Sequence, residues 1–425
     1  MRAQDDTAKL GSWRTSRRGF LRSTAAATGA VAASVPLTIL ADQTQGANDR
    51  VGIGFIGTGG RAQAHLRIVN SLKEKGLAEP VAVCDVYRPR VQAAAELTGA
   101  KIYRNYKELL EDPRVDAVCI ATPDRHHGPQ AIDAVRAGKD VYVEKPLVHW
   151  SQFPLAKQLA AEAKKRQRIV QVGTQYMADD AYPKIRQLIE EGLVGKIVHV
   201  QVGYFRRGDW GERMPVPDPH AQPGPDLDWE QFLGDAPQVP FSVSRFFQWR
   251  MYWDYAGGPA TDLLVHAFTP VFRVLDLEFP ERVMGGGGVF QYNREVPDQC
   301  NIVADYQGGP SVVMMNSLSN YTGIDTMLRG TDGIIIWKQI NHPKNKGVRI
   351  VPVDKKKKEI FIPWQGLGDT TRLWTNFIDC IHSRQRPYSP IELAVRVQAP
   401  LNMGILAHRE SKVARFDRQS EEIVL

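Results

Sequence analysis

Between residues 51 and 173, short apolar runs alternate with amphipathic stretches. That alternation predicts an open parallel sheet with helices packed on it. Val51–Ile56 is an uninterrupted apolar run, the pattern of a buried strand. It leads through Gly57-Thr58-Gly59-Gly60-Arg61-Ala62 into a helical stretch over 63–75. Further strands are expected at 80–84, 101–103, 115–121, 140–143 and 170–173, with helices over 92–98, 106–111 and 129–137 between them. From 173 onward the pattern changes. Residues 196–205 alternate, and short strand-like runs at 285–289, 300–306, 311–318, 334–337 and 348–351 are broken by Gly, Asn and Asp. Closely spaced short strands suit an antiparallel sheet. Helices are expected over 180–191, 374–383 and 391–408. Residues 211–240 hold seven prolines and predict a long irregular loop, a kind usually kept for function or movement.

A chain of 425 residues exceeds what one core usually organises, so two domains are expected, over 48–172 and 173–425. The composition, 43% hydrophobic and 24% charged, is that of a globular protein. The net charge is +7, and +4 once residues 1–47 with six basic and three acidic side chains are set aside. So small a surplus predicts no nucleic-acid partner. Cys84, Cys119, Cys300 and Cys380 form no CxxC pair, so neither a disulfide scaffold nor a zinc knuckle is indicated. No metal constellation is visible.

The N-terminus reads as an address. Thr15-Ser16-Arg17-Arg18-Gly19-Phe20-Leu21-Arg22 precedes a modest apolar stretch over 25–40 that contains Pro36. That stretch is too short and too rich in Ala, Ser and Thr to span a membrane, which takes about 20 strongly apolar residues. A basic region followed by such a stretch is a secretory signal. Its paired arginines resemble the twin-arginine export signal, which implies a periplasmic protein carried folded by that machinery. Cleavage is expected within 41–47.

Strand, glycine turn and helix together make a phosphate cradle. Gly57 permits the turn, Gly59 lets backbone approach a pyrophosphate, and the helix N-terminus attracts its charge. Asp85 follows the second strand, 23 residues after Ala62, and is placed to accept from a ribose 2′-hydroxyl. A carboxylate there favours NAD over NADP, with Arg88 and Arg90 nearby to offset it. Thr122 and Lys145 also fall at strand ends, where ligands of such sheets collect. Farther on, Asp262 and His266 lie four residues apart, so a helix would turn both the same way. A carboxylate beside an imidazole fixes its tautomer and suits it to act as a general base.

The glycine turn, Ala121-Thr122-Pro123 with His127, and Glu144-Lys145-Pro146 together resemble the Gfo/Idh/MocA oxidoreductases, the family of glucose–fructose oxidoreductase and inositol dehydrogenase. The similarity continues through Gly173-Thr174-Gln175, the segment from Gly257 to His266, Gly330-Thr331-Asp332-Gly333 and the last helices. The resemblance implies a Rossmann domain followed by an α+β domain with a large, mostly antiparallel open-faced sheet that often forms the oligomer interface. It implies a catalytic set of Lys145, Asp262 and His266. It implies a nucleotide site of Gly57, Thr58, Gly59, Gly60, Arg61, Asp85, Thr122, Pro123, His127, Glu144, Lys145 and Gln175. Arg206, at the end of a strand beside Tyr204 and Arg207, and Tyr255, beside Trp253, are candidates for substrate contact.

The expectation is an exported oxidoreductase with tightly held NAD, or NADP, acting on a sugar, sugar acid or polyol. His266 would take a hydroxyl proton, Asp262 would orient it, and Lys145 would polarise the oxygen. Free NAD is scarce outside the cytoplasm, so a retained cofactor must be re-oxidised in place. Two alternatives stay open. One is glycoside cleavage through transient oxidation, as in glycoside hydrolase family 109. The other is a non-catalytic sugar binder on the same fold.

Overall fold

The computed structural model describes residues 50–208 and 214–425. Arg17, Arg18 and the cleavage region lie outside the described residues. The described residues form one compact unit.

The first sheet is built from β1 (Val51–Ile56), β2 (Ala78–Cys84), β3 (Lys101–Tyr103), β4 (Ala117–Ile120), β5 (Asp140–Val143) and β6 (Val170–Val172). Between them run α1 (Gly60–Glu74), α2 (Arg88–Thr98), α3 (Tyr106–Glu111), α4 (Asp124–Arg136) and α5 (Phe153–Arg166). The strand order is β3-β2-β1-β4-β5-β6, parallel throughout. This is a doubly wound sheet whose order reverses between β1 and β4, where such folds open a ligand crevice. Every residue of β1 and β4 is buried, which is why those strands read as unbroken apolar runs.

The second region opens with α6 (Ala181–Glu190) and β7 (Ile197–Phe205), followed by α7 (Trp229–Leu233), α8 (Val243–Phe247) and α9 (Val265–Leu275). Then come β8 (Arg282–Gly288), β9 (Gln299–Asp305), β10 (Ser311–Ser317), β11 (Thr326–Gly330), β12 (Gly333–Trp337), β13 (Gly347–Pro352) and β14 (Ile360–Pro363). The chain ends with α10 (Thr370–Ser383), α11 (Ile391–Glu410), β15 (Ala414–Asp417) and β16 (Glu422–Val424). Ten strands pair in the order β14-β13-β12-β11-β7-β10-β9-β8-β15-β16. Neighbours are antiparallel except β7 and β10, which run parallel. Together the two sheets give the Rossmann and open-sheet architecture expected. The alternating pattern had missed β11, β14, β15 and β16, which are three to five residues long, and of which β11, β15 and β16 carry charged side chains such as Arg329 and Asp417. Such runs are too short for period-2 alternation to stand out. Lys355–Lys358 is an exposed turn between β13 and β14.

α11 lies against β8 so closely that a Cβ on Gly285 would collide with the Gly404 carbonyl. α10 belongs by sequence to the second region, yet it packs on the first sheet. Its Trp374 stacks on Tyr142 at 4.5 Å, and Phe377 joins the same core as Phe55. The proline-rich segment is also more ordered than an irregular loop. Over residues 214–255 it holds α7, α8 and a 3-10 turn, Trp249–Met251, around a core of Phe232, Phe246, Phe247 and Tyr255 with Tyr87 from the first sheet's side.

Candidate active site

The glycine turn follows β1 at the switch between β1 and β4. Gly57 has φ +81°, and a Cβ there would stand 2.9 Å from Thr122 Cγ2, so glycine is required twice over. A Cβ on Gly60 would meet nothing within 4 Å, so open space lies at the first residue of α1. A fifteen-residue helix pointing its free N–H groups at open space fits the pyrophosphate of a dinucleotide. Asp85 is held in place by three donors. Thr58 N–H (2.7 Å) and Thr58 Oγ1 (3.1 Å) donate to Oδ2, and Tyr87 N–H donates to Oδ1 (2.9 Å). Gly57, Gly59, Gly60, Asp85, Thr122 and Pro123 line one side of a cavity of about 450 Å³. Met214, Gln231, Phe232, Gly234, Asp235 and Trp249 line the other.

Arg61 and Glu144 turn toward each other. Arg61 Nε donates to Glu144 Oε1 at 2.8 Å, and His65 Nε2 lies 2.8 Å from the same oxygen. Trp374 Nε1–H donates to His65 Nδ1 at 2.9 Å, so the proton of the neutral ring sits on Nε2 and is donated to Glu144. Burial opposes a charge on Glu144, but Arg61 and His65 outweigh it and hold the carboxyl well below its usual range. Gly173 completes this packing, because a Cβ there would stand 2.7 Å from Glu144 Oε1. His127 has both ring nitrogens on backbone carbonyls, Nδ1 at 2.7 Å from Pro146 O and Nε2 at 2.9 Å from Thr122 O. It ties the loop after β4 to the loop after β5 rather than facing the cavity. Gln175 opens a half-buried 3-10 turn after β6.

Lys145 follows β5 and meets Asp262 across 117 residues. Its Nζ donates to Asp262 Oδ1 at 2.6 Å and to the Asp262 carbonyl at 2.9 Å. Arg250 Nη1 donates to the same Oδ1 at 3.0 Å. Burial disfavours the Asp262 carboxylate, but Arg250, Lys145 and Arg206 overcome it and keep the group ionised far below the ordinary range. The expected Asp262–His266 pairing is therefore corrected. Asp262 lies in a π-helical turn, Ala260–Leu264, before α9, and two cations claim its carboxylate. Turns of that kind recur at functional sites. His266 is nearby but separate. Its ring packs edge-on to Tyr176 at 5.6 Å, it is 6% exposed, and Nδ1 has no hydrogen-bond partner. Burial, helped by the Lys145 charge, pushes it down to about 3 against the pull of Asp262, so the ring is neutral.

Tyr255 is corrected as a substrate contact. It is fully buried and packs on Phe232 at 5.2 Å and Tyr252 at 6.5 Å, as an aromatic side chain in a dry core does. Arg206 follows β7, where its N–H donates to the Ser317 carbonyl, and its charge reaches Asp262. Sequence reasoning missed two residues of the cluster. Arg250 sits in a Trp-Arg-Met-Tyr-Trp stretch with no motif to mark it. Asp124 stands next to the quoted Thr122-Pro123, which was the available signal. It is 1% exposed, neither carboxylate oxygen is hydrogen-bonded, and Oδ1 lies 3.8 Å from Arg250 Nη1. Burial pushes its carboxyl up to about 7 against the attraction of Arg250.

Residues 51–174 match the Gfo/Idh/MocA oxidoreductase family's NAD-binding Rossmann fold, and residues 179–425 match its C-terminal alpha/beta domain. The chain is 32% identical over 165 residues to inositol 2-dehydrogenase of Rubrobacter xylanophilus, covering 39% of this chain and 46% of that protein. It thus spans less than half the length of this curated relative. The WlbA dehydrogenase of Bordetella pertussis, solved with NADH and UDP-GlcNAcA, superposes with a TM-score of 0.65 at 18% identity, covering 87% of this chain and 98% of that one. A levoglucosan dehydrogenase solved with NADH gives 0.65 at 16% identity, covering 86% and 98%. These two likenesses are of fold.

Proposed function

We propose, from the premise that this chain belongs to the NAD-binding Gfo/Idh/MocA oxidoreductase family, that it oxidises a secondary hydroxyl of a sugar or polyol with NAD. The observation carrying this reading is a neutral, buried His266 beside a Lys145 ammonium fixed by Asp262. A bound nicotinamide would supply the acceptor for the hydride leaving the substrate carbon. A ring nitrogen of neutral His266 accepts the hydroxyl proton, and Lys145 donates to the same oxygen. Asp262 and Arg250 hold the Lys145 ammonium in position. The names of relatives that act on inositol and levoglucosan support a polyol or sugar substrate for this chain. The test is single-turnover reduction of the bound nucleotide by a panel of polyols and sugars. A chain that binds NAD but is reduced by none of them counts against the reading.

Export through the twin-arginine route is part of the same proposal and rests on Arg17-Arg18. Replacing both with Lys should empty the periplasmic fraction, and undiminished export would remove the signal. Pairing of two copies is proposed through the bare face of the ten-stranded sheet. There Val303, Val313, Met327 and Ile336 share one face in register and stay partly exposed. Replacing Val313 and Ile336 with Lys should yield a monomer by light scattering.

A further inference from the structure

The indole of Trp374 reaches Lys145 through two intermediaries. His65 on α1 is fully buried, and both of its ring nitrogens are engaged. An indole N–H only donates, so Nδ1 accepts at 2.9 Å, and the single proton of the neutral ring stays on Nε2, 2.8 Å from Glu144 Oε1. Edge-on contacts to Tyr142 at 5.1 Å and to Trp374 at 5.8 Å fix the plane of the ring. Glu144 Oε1 also accepts from Arg61 Nε at 2.8 Å, while Oε2 accepts the Lys145 N–H at 3.3 Å. The Lys145 ammonium goes on to Asp262 at 2.6 Å. A row of hydrogen bonds thus runs from α10 to Lys145, although no residue of α10 is among the described residues that line the nucleotide cavity.

The other tautomer is excluded at both ends. A proton on Nδ1 would point at the indole N–H, and the bare Nε2 would face the Glu144 carboxylate, so two buried contacts would be left unsatisfied. The doubly protonated ring is excluded at Nδ1 for the same reason, and burial disfavours its charge against the attraction of Glu144. The remaining ionisable neighbours are Arg61, Tyr142, Cys119 and Lys145. Burial pushes Tyr142 and Cys119 up, so neither ionises near neutral pH.

We propose that Trp374 is a positioning residue for the reaction: its indole N–H locks His65 in the Nε2–H tautomer, and that proton holds the Glu144 carboxylate where it anchors the Lys145 backbone. The proposal rests on the oxidoreductase reading of Lys145 above. Without the His65 donor, Arg61 alone holds Glu144 Oε1, and the carboxylate turns away from the Lys145 N–H. Lys145 then leaves β5 on a different course, and its ammonium no longer meets both Asp262 and the reacting oxygen. Small misplacements of a group at the reacting atoms cost rate. A helix outside the nucleotide cavity thereby governs the step inside the cleft.

The experiment compares the full chain with Trp374→Phe, which keeps a ring on Tyr142 and loses the N–H. Single-turnover reduction of bound NAD is measured across pH, each rate taken relative to the parent at the same pH. At about pH 8 the variant is expected to be about tenfold slower, and the deficit to shrink toward about pH 6, because an imidazolium again offers Nε2–H to Glu144. NADH affinity should stay near the parental value. Nitrogen NMR of the histidine-labelled chain reads the tautomer directly, as Nε2–H alone in the parent and a mixture in the variant. If Trp374→Phe does not fold, His65→Gln is compared with His65→Leu. The amide can accept from the indole and donate to Glu144, so Gln is expected to be at least about fivefold faster than Leu. A folded Trp374→Phe that matches the parent at every pH overturns the proposal, as do equal rates for Gln and Leu. So does a deficit that does not change with pH, the mark of disturbed packing alone, and so does a parental His65 with its proton on Nδ1. A parent that takes up NADH but whose NAD no polyol or sugar reduces counts against the oxidoreductase reading, and the nitrogen spectrum still shows whether the lock exists.

Discussion

The nucleotide cradle and the charged cluster around Asp262 both stand where strands of one sheet end, yet they are made of different material. The cradle is mostly backbone. Gly57, Gly59 and Gly60 offer N–H groups and space, and Asp85 is fixed by donors within 27 residues of it. The cluster is all side chain, gathered from Asp124, Lys145, Arg250, Asp262 and His266. Asp124 and Asp262 sharpen the contrast. Both are buried carboxyls facing Arg250, yet Asp262 accepts 2.6 and 3.0 Å hydrogen bonds and stays ionised, while Asp124 accepts none and rises to about 7. At Asp262 the charges of Arg250 and Lys145, reinforced by hydrogen bonds, outweigh burial, whereas Asp124 meets Arg250 only at 3.8 Å and also faces the Asp262 charge.

The contrast is sharpest if chemistry can be lost without loss of nucleotide. His266→Ala is expected to slow hydride transfer by about two to four orders of magnitude, the usual worth of a general base. Its NADH affinity should stay within about twofold, because general base catalysis acts on the reacting proton alone. Stopped-flow reduction of bound NAD and a binding titration give the two numbers. An unslowed variant would pass the proton role to Lys145.

The next effect is on stability. The Asp124 carboxyl titrates near 7 when folded and at about 3.9 when unfolded. Between those values the native state binds more protons than the unfolded one, so stability is full below the unfolded value and falls as pH rises toward the folded one. By pH 8 the loss is on the order of 2–4 kcal/mol. Asp124→Asn does not titrate, so relative to the parent it should gain about that much stability between pH 4 and pH 8 in urea unfolding. A pH-independent difference would mean that Asp124 is a full ion-pair partner of Arg250, and the contrast between the two carboxyls would fall.

Arg250→Met should cost about tenfold in the hydride step, the worth of one charge-assisted hydrogen bond. The substituted side chain still fills the space, and Lys145 still holds Asp262. Smallest is Asp85→Ala, expected to weaken NAD by about three- to tenfold and NADP less, since the lost carboxylate repels a 2′-phosphate. Equal losses in paired titrations would take Asp85 out of the ribose site and leave it as an anchor for Thr58 and Tyr87.

How far each half was legible follows from how it is made. The cradle announces itself because a positive φ at Gly57 and an acid after the next strand leave marks at fixed spacing. The first sheet was legible for the same reason, since strands buried on both faces are apolar from end to end. Asp262 and His266 were found by their spacing, but their partnership was misread, because a four-residue spacing says nothing of Lys145 arriving from 117 residues away. Arg250 left no trace, since its meaning lies in where the segment 214–255 packs. Tyr255 looked like a stacking platform because composition cannot tell a ring in a cleft from a ring in a core.

The stack of Trp374 on Tyr142 reaches into how the protein is made. A sheet finished at residue 172 still lacks the helix that seals one of its faces, and roughly 200 further residues must be synthesised before Trp374 and Phe377 can close over it. At about 5–20 residues per second, that leaves the nascent first half open on the ribosome for on the order of 10–40 s. A chain terminated before α10 would carry a bare aromatic surface at Phe55 and Tyr142, where chaperones bind and aggregation starts. Its late-arriving seal makes the first half depend on the completion of the second.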